Sequence, residues 1–227
     1  MMSGFLATHG EELVRRCAAK VALRPVRPSA SPAAAHGGIS LFLAQLQRTL
    51  EAEERNEPLV SLRISGASGG DSLAASEVGA AAMRHGQDLL ALGYSVDQVV
   101  HGYGDLCQAV TDLAFELDAP IAVSEFRTLN RCLDNGIANA VSAFSARRDA
   151  TIAATNEAQM SERQETLLHA LRSSLATASY AATALELGNL PMSGATGALL
   201  KRSLATMRVQ VGGPSAAELQ KLWEEGR

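Results

Sequence analysis

From Phe126 to Phe144 the apolar residues Phe126, Leu129, Leu133, Ile137, Ala140 and Phe144 recur at intervals of 3, 4, 4, 3 and 4. That spacing follows the turn of an α-helix and not the alternation of a strand. A second seam, Leu168, Leu171, Leu175, Ala178, Ala182 and Leu185, repeats at intervals of 3, 4, 3, 4 and 3. Between them residues 147–165 are polar, rich in alanine and free of glycine and proline, so a helix can run through while burying little. This pattern predicts a helical linker between two packed modules. "GNLPMSG" at 188–194 reads as a turn, and Leu199, Leu200, Leu204 and Met207 mark a shorter helix over 195–209. Two helices joined by a short turn form an αα-hairpin. A lone hairpin buries little surface, so it is expected to dimerise into a four-helix bundle.

The rest of the chain reads the same way. Aromatic residues are 4% of the sequence and apolar residues 47%, so the core must be built from Ala, Leu and Val, which suits close-packed helices better than a β-sandwich. Helices are expected over 4–23, about 37–54 and about 72–92, the last stopping at Gly93. Ser95 with Gln98 makes a capping box for a fourth helix ending before Pro120, and Ser124 is expected to cap the next. The proline-rich stretch 24–38 reads as a loop, and "NEPLVSLRISGASGGDS" at 56–72 as an irregular connection. The expected fold is all-α: a helical sensory bundle over 1–150, joined by a long helix to the hairpin of 151–212, then a tail over 213–227.

Several functions find no support. The net charge is −4 with a pI near 5.8, and no basic stripe runs along any segment, which argues against nucleic-acid binding. Charges interrupt every apolar run, and the N-terminus lacks a signal-peptide pattern, so no membrane partner and a cytoplasmic location are expected. Cys17, Cys107 and Cys132 form no CxxC pair and read as reduced, buried small residues. "SGASGGDS" at 65–72 has glycines without a following Gly-Lys-Ser/Thr, and "DNGIAN" at 134–139 sits inside a helical seam. No cofactor is expected.

Two sets of residues could carry chemistry. His169 stands at the edge of the second seam, where an exposed imidazole could act as a nucleophile toward a phosphoryl group. By itself, a single histidine on an amphipathic helix reads first as an ordinary surface residue. The second set is His85, His101, Tyr103, Asp105 and Cys107, which could line a pocket in the sensory bundle. His101 and Asp105 have the i,i+4 spacing that metals use, but no third ligand is assignable, so no metal is expected. Their plainer reading is helix-surface and helix-packing polarity. In "HGYGD" the two glycines cost a helix about 1 kcal/mol each. They suggest a close helix crossing or, in the sharper reading, a ligand contact.

The stretches "GYSVDQVVHGYGDLCQAVTDLAFELDAPIAVSEFRTLNRCLDNGIANAVSAF" and "QETLLHALRSSLATASYAATALELGNLPMSGATGALLKRSL" resemble a group of bacterial soluble sensor histidine kinases. In that group a helical sensory region, similar to the sensor domains of stress-response co-antagonist proteins, precedes a dimerisation and histidine-phosphotransfer hairpin. The resemblance spans roughly residues 5–208. It implies that His169 is the phospho-acceptor and places Leu171 and Arg172 on the pattern His-Glu-Leu-Arg-Asn, with Ala170 in place of the acid and Ser173 in place of the Asn. Loss of that acid is expected to cost on the order of 10²-fold in transfer rate. The family's ATP-binding domain has no counterpart in these 227 residues, so an autonomous kinase is not expected from this chain. The resemblance implies a homodimer that exchanges phosphate with a response-regulator receiver domain or a partner histidine kinase. The alternative is a non-catalytic, kinase-like adaptor that binds such partners with His169 idle.

Overall fold

The structure, a computed structural model, describes residues 1–24, 32–70 and 76–212, with the backbone alone for residues 32–36. The expected tail over 213–227 lies outside the described residues. Seven helices are described: α1 (Met2–Ala22), α2 (Pro32–Glu54), α3 (Pro58–Ser65), α4 (Glu77–Ala91), α5 (Val96–Glu116), α6 (Val123–Leu187) and α7 (Ala195–Gln210). The fold is all-α. Among the described residues no helix is long and apolar enough to cross a membrane. The chain divides into two compact units, Met1–Ile152 and Ala153–Arg227, and α6 contributes residues 123–152 to the first and 153–187 to the second.

The first unit is built around apolar residues arriving from five helices. Leu13 and Cys17 of α1, Phe42, Leu46 and Leu50 of α2, Val78 and Leu89 of α4, Val99, Leu106 and Val110 of α5, and Leu129, Cys132 and Phe144 of α6 are all buried together. At roughly 25 cal/mol per Å² of apolar surface removed from water, this cluster is the main favourable term in the unit's folding. Small residues set how closely the helices approach. An added Cβ at Gly86 of α4 would lie 2.2 Å from the backbone oxygen of Ala140 in α6, so the two helices meet where only a hydrogen fits.

Helix ends follow local chemistry. Ser95 accepts a hydrogen bond from the Gln98 N–H, and Gln98 Oε1 accepts one from the Ser95 N–H, the reciprocal pairing expected from the sequence. After α4, Gly93 at φ +80° takes the left-handed position and the Tyr94 N–H reaches back to the Leu89 carbonyl. Asn56, Asp118 and Asn189 take the same position after α2, α5 and α6, at φ between 44° and 57°.

Four local expectations are corrected. Residues 58–65 are helical, not irregular: Pro58 opens α3, and its fixed φ suits a first helical turn. This helix buries Ser61 and Ser65 beside Ile64 while leaving Leu59 81% exposed, so its mixed inner face concealed it. Helix α2 begins at Pro32, earlier than the expected 37, again with proline in the first turn. Ser124 lies inside α6 and is not its cap; the Glu125 carboxylate instead accepts from the Ala122 N–H at 2.9 Å. Finally, an added Cβ at Gly102 or Gly104 meets nothing within 4 Å, so "HGYGD" does not serve a close helix crossing. We therefore expect Gly104→Ala to raise stability by about 0.5–1 kcal/mol, read as a higher urea midpoint at unchanged slope.

Candidate functional site

His169 lies on α6 in the second unit and is exposed. Its helix ends at Leu187, the chain turns through 188–194 with Asn189 at φ 44°, and α7 returns from Ala195. Within this unit the buried side chains are small: Ala178 and Ala181 on α6, Ser203 on α7. An added Cβ at Gly197 would lie 2.1 Å from the Met192 carbonyl oxygen, so the turn folds tightly over the start of α7. The larger apolar residues stay uncovered, among them Leu168 (40%), Leu175 (57%), Leu199 (40%) and Leu204 (46%). Beside the imidazole, Ala170 and Leu171 are partly buried and Arg172 is exposed. Ala170 offers no acid at the following position. Glu165, one turn earlier on the same helical face, is the carboxylate that the helix period brings nearest in sequence. An exposed imidazole on a helix retains free access for an electrophile, and a neighbouring carboxylate can take up the charge that forms on its ring.

The five pocket candidates of the first unit separate by helical phase. His85 and Tyr103 line one cavity, together with Phe42, Tyr94, Val99 and Leu106. Their rings stand edge to face with centroids 6.4 Å apart, and Tyr103 meets Phe42 in the same way at 5.7 Å. Burial holds the His85 imidazole below its ordinary pKa, against a weaker upward pull from Asp88, and burial pushes the Tyr103 phenol up. His101 is exposed and pairs with Asp97, Nε2 to Oδ1 at 3.3 Å, not with Asp105. Asp105 instead holds Arg24 at the end of α1. Cys107 is half-buried and is not part of the cavity wall. Its helix presents residues 98, 99, 102, 103 and 106 to the cavity, and positions 101, 105 and 107 fall on other faces.

Tyr94 went unremarked in the sequence although it supplies part of this wall. Its position was legible in principle: it directly follows the helix-terminating Gly93, where an apolar residue commonly packs back on the last turn. Cys17 and Cys132 are fully buried, and desolvation pushes their thiols up to about 11 and about 12. Among the described residues no three His, Cys, Asp or Glu side chains gather as a metal site would need. No protein-family model, curated protein or solved structure matches this chain.

Proposed function

We propose that the chain is a signal-transduction protein of the two-component type, in which the first unit senses and the second exchanges phosphate through His169. The observation that carries this reading is the pairing of an exposed imidazole with a helical hairpin whose leucines are uncovered. Leu175, Leu199 and Leu204 need a partner surface, and a second hairpin supplies a matching one by two-fold symmetry. In the resulting four-helix bundle His169 stays on the outside, open to the active-site aspartate of a receiver domain. The phosphoryl group passes from the aspartyl phosphate to Nε2, or back, with the receiver's carboxylate as leaving group and acceptor. Ala170 favours a second reading, in which the hairpin docks a receiver or a kinase with no transfer.

Incubation with a phosphorylated receiver domain tests the first reading. Acid-labile label on the chain that disappears in His169→Ala supports phosphotransfer. Absence of label, with receiver binding that survives the substitution, supports the adaptor. The bundle itself is tested by sedimentation equilibrium: Leu175→Glu with Leu204→Glu is expected to convert a dimer to a monomer. A wild-type protein that sediments as a monomer removes the bundle from the proposal.

A further inference from the structure

The cavity of the first unit has a chemical character that packing alone does not account for. Its volume is about 40 Å³, and its walls come mostly from Val21, Ile39, Phe42, Leu89, Val99 and Leu106. A water molecule needs some 10–15 Å³ of such space, so this one has room for about three or four heavy atoms. Three polar rings, Tyr94, Tyr103 and His85, share the wall with Gln98. Tyr94 is 7% exposed, and its hydroxyl is shut off from solvent with no hydrogen-bond partner among the described residues. His85 stands across the cavity wall, its ring so close to α2 that an added Cβ at Gly38 would lie 2.3 Å from Nδ1. Nine in ten or more buried polar groups in native proteins find a partner, so an unpaired phenol at an apolar cavity calls for one.

We propose that this cavity binds a small, neutral, mainly apolar molecule carrying one hydroxyl or carbonyl group, which pairs with the Tyr94 hydroxyl while its hydrocarbon part lies against Phe42, Val99 and Leu106. An ion is disfavoured, because the described wall residues carry no fixed charge to repay its desolvation. A larger aromatic ligand exceeds the space, since a benzene-sized guest occupies a cavity of about 150 Å³. The site is independent of what His169 does, and its test reads binding alone.

The probes are 1-propanol, which carries the hydroxyl, and xenon, which does not. Each is titrated into the full chain while methyl resonances of Ile39, Leu89, Val99 and Leu106 are followed by NMR. Saturable shifts with 1-propanol, weakened about 3- to 10-fold in Tyr94→Phe, are expected, the range that one lost hydrogen bond produces. Xenon should shift the same methyls equally in both proteins. Tyr94→Phe removes only an unpaired hydroxyl and so should fold normally. As a second variant, Gly102→Leu adds a side chain to a lining residue where a Cβ meets nothing within 4 Å, and is expected to take up the cavity space and abolish both responses. Saturation by xenon with no saturable response to 1-propanol overturns the proposal and leaves a dry apolar void. Equal 1-propanol affinity in Tyr94→Phe also overturns it, since the phenol would then have no part in recognition.

Discussion

Gly86→Ala is expected to destabilise the first unit by about 2–4 kcal/mol, because its methyl group would meet backbone more closely than one at any other described glycine of that unit. The added Cβ would sit 2.2 Å from the Ala140 oxygen and 2.9 Å from its carbonyl carbon. Both are backbone atoms of α6, so no side-chain rotation relieves the clash. The two helices must separate, and the contacts that Ala82, Leu89, Leu133 and Phe144 make in the shared core loosen with them. This loss far exceeds the gain of about 1 kcal/mol that Gly→Ala brings to an open helical site. Urea unfolding followed by far-UV circular dichroism measures it directly. With a slope of about 1–3 kcal/mol per molar, the midpoint should fall by roughly 1 M or more. A midpoint unchanged in Gly86→Ala would contradict the close crossing of α4 and α6. Gly104→Ala, with the opposite expected sign, serves as the control.

The second large effect concerns Glu53, which joins α2 to α3 and α6. Its carboxylate accepts from Ser61 Oγ at 2.8 Å, from Thr128 Oγ1 and from Arg131 Nη2. Arg131 also donates to Ser61 Oγ at 3.0 Å and to Ser65 Oγ at 3.2 Å. Burial tends to raise the Glu53 pKa, but the hydrogen bonds from Thr128, Arg131 and Ser61, with the Arg131 charge, hold it below the ordinary value of 4.5. Arg131→Met removes the cation and leaves a partly buried carboxylate without its counter-charge. Fully buried pairs lose about 3–5 kcal/mol on such a change. Here the side chains are 32% and 19% exposed, and solvent screening reduces the expected loss to about 1–3 kcal/mol.

The pH dependence gives this prediction a second readout. A carboxyl whose folded pKa is depressed stabilises the fold above its unfolded value and loses that contribution as pH falls through the folded value. Wild-type stability should therefore decline below about pH 4.5, with Glu53 among the groups responsible. In Arg131→Met the gap to wild type should narrow over the same interval, because protonated Glu53 no longer needs the cation. The double variant Glu53→Gln/Arg131→Met should lose less than the sum of its parts. Strict additivity would show that the two side chains act separately.

How far the sequence disclosed this architecture depends on which physical signal each element carries. The seam of α6 and the capping box at Ser95 were legible because spacing and a local hydrogen bond specify them without reference to the rest of the chain. Gly93 was legible for the same reason. Helix α3 was not, because Ser61 and Ser65 face Glu53 and Arg131, whose positions depend on tertiary structure. The close crossing at Gly86 left no trace either: a glycine packed against backbone and a glycine facing open space look alike in sequence, so nothing sets Gly86 apart from Gly102 and Gly104. In the candidate cavity, His85 and Tyr103 were selected along with three residues of α5 that point elsewhere. Their polarity was visible, but their phase about the helix axis was set by which face meets α2 and α4.

The mixed inner face of α3, Ser61 and Ser65 beside Ile64, separates two properties that an amphipathic helix normally ties together. Its inward residues anchor it, Ser61 by donating to the Glu53 carboxylate, Ser65 by accepting from Arg131 Nε, and Ile64 by burial. Its outward leucines, Leu59 at 81% and Leu62 at 43% exposure, therefore contribute little to folding. What they govern is colloidal behaviour, since exposed aliphatic side chains raise the attraction between molecules in a concentrated solution. On this short helix, solubility can change by substitution at the surface while the anchoring of the chain stays as it is.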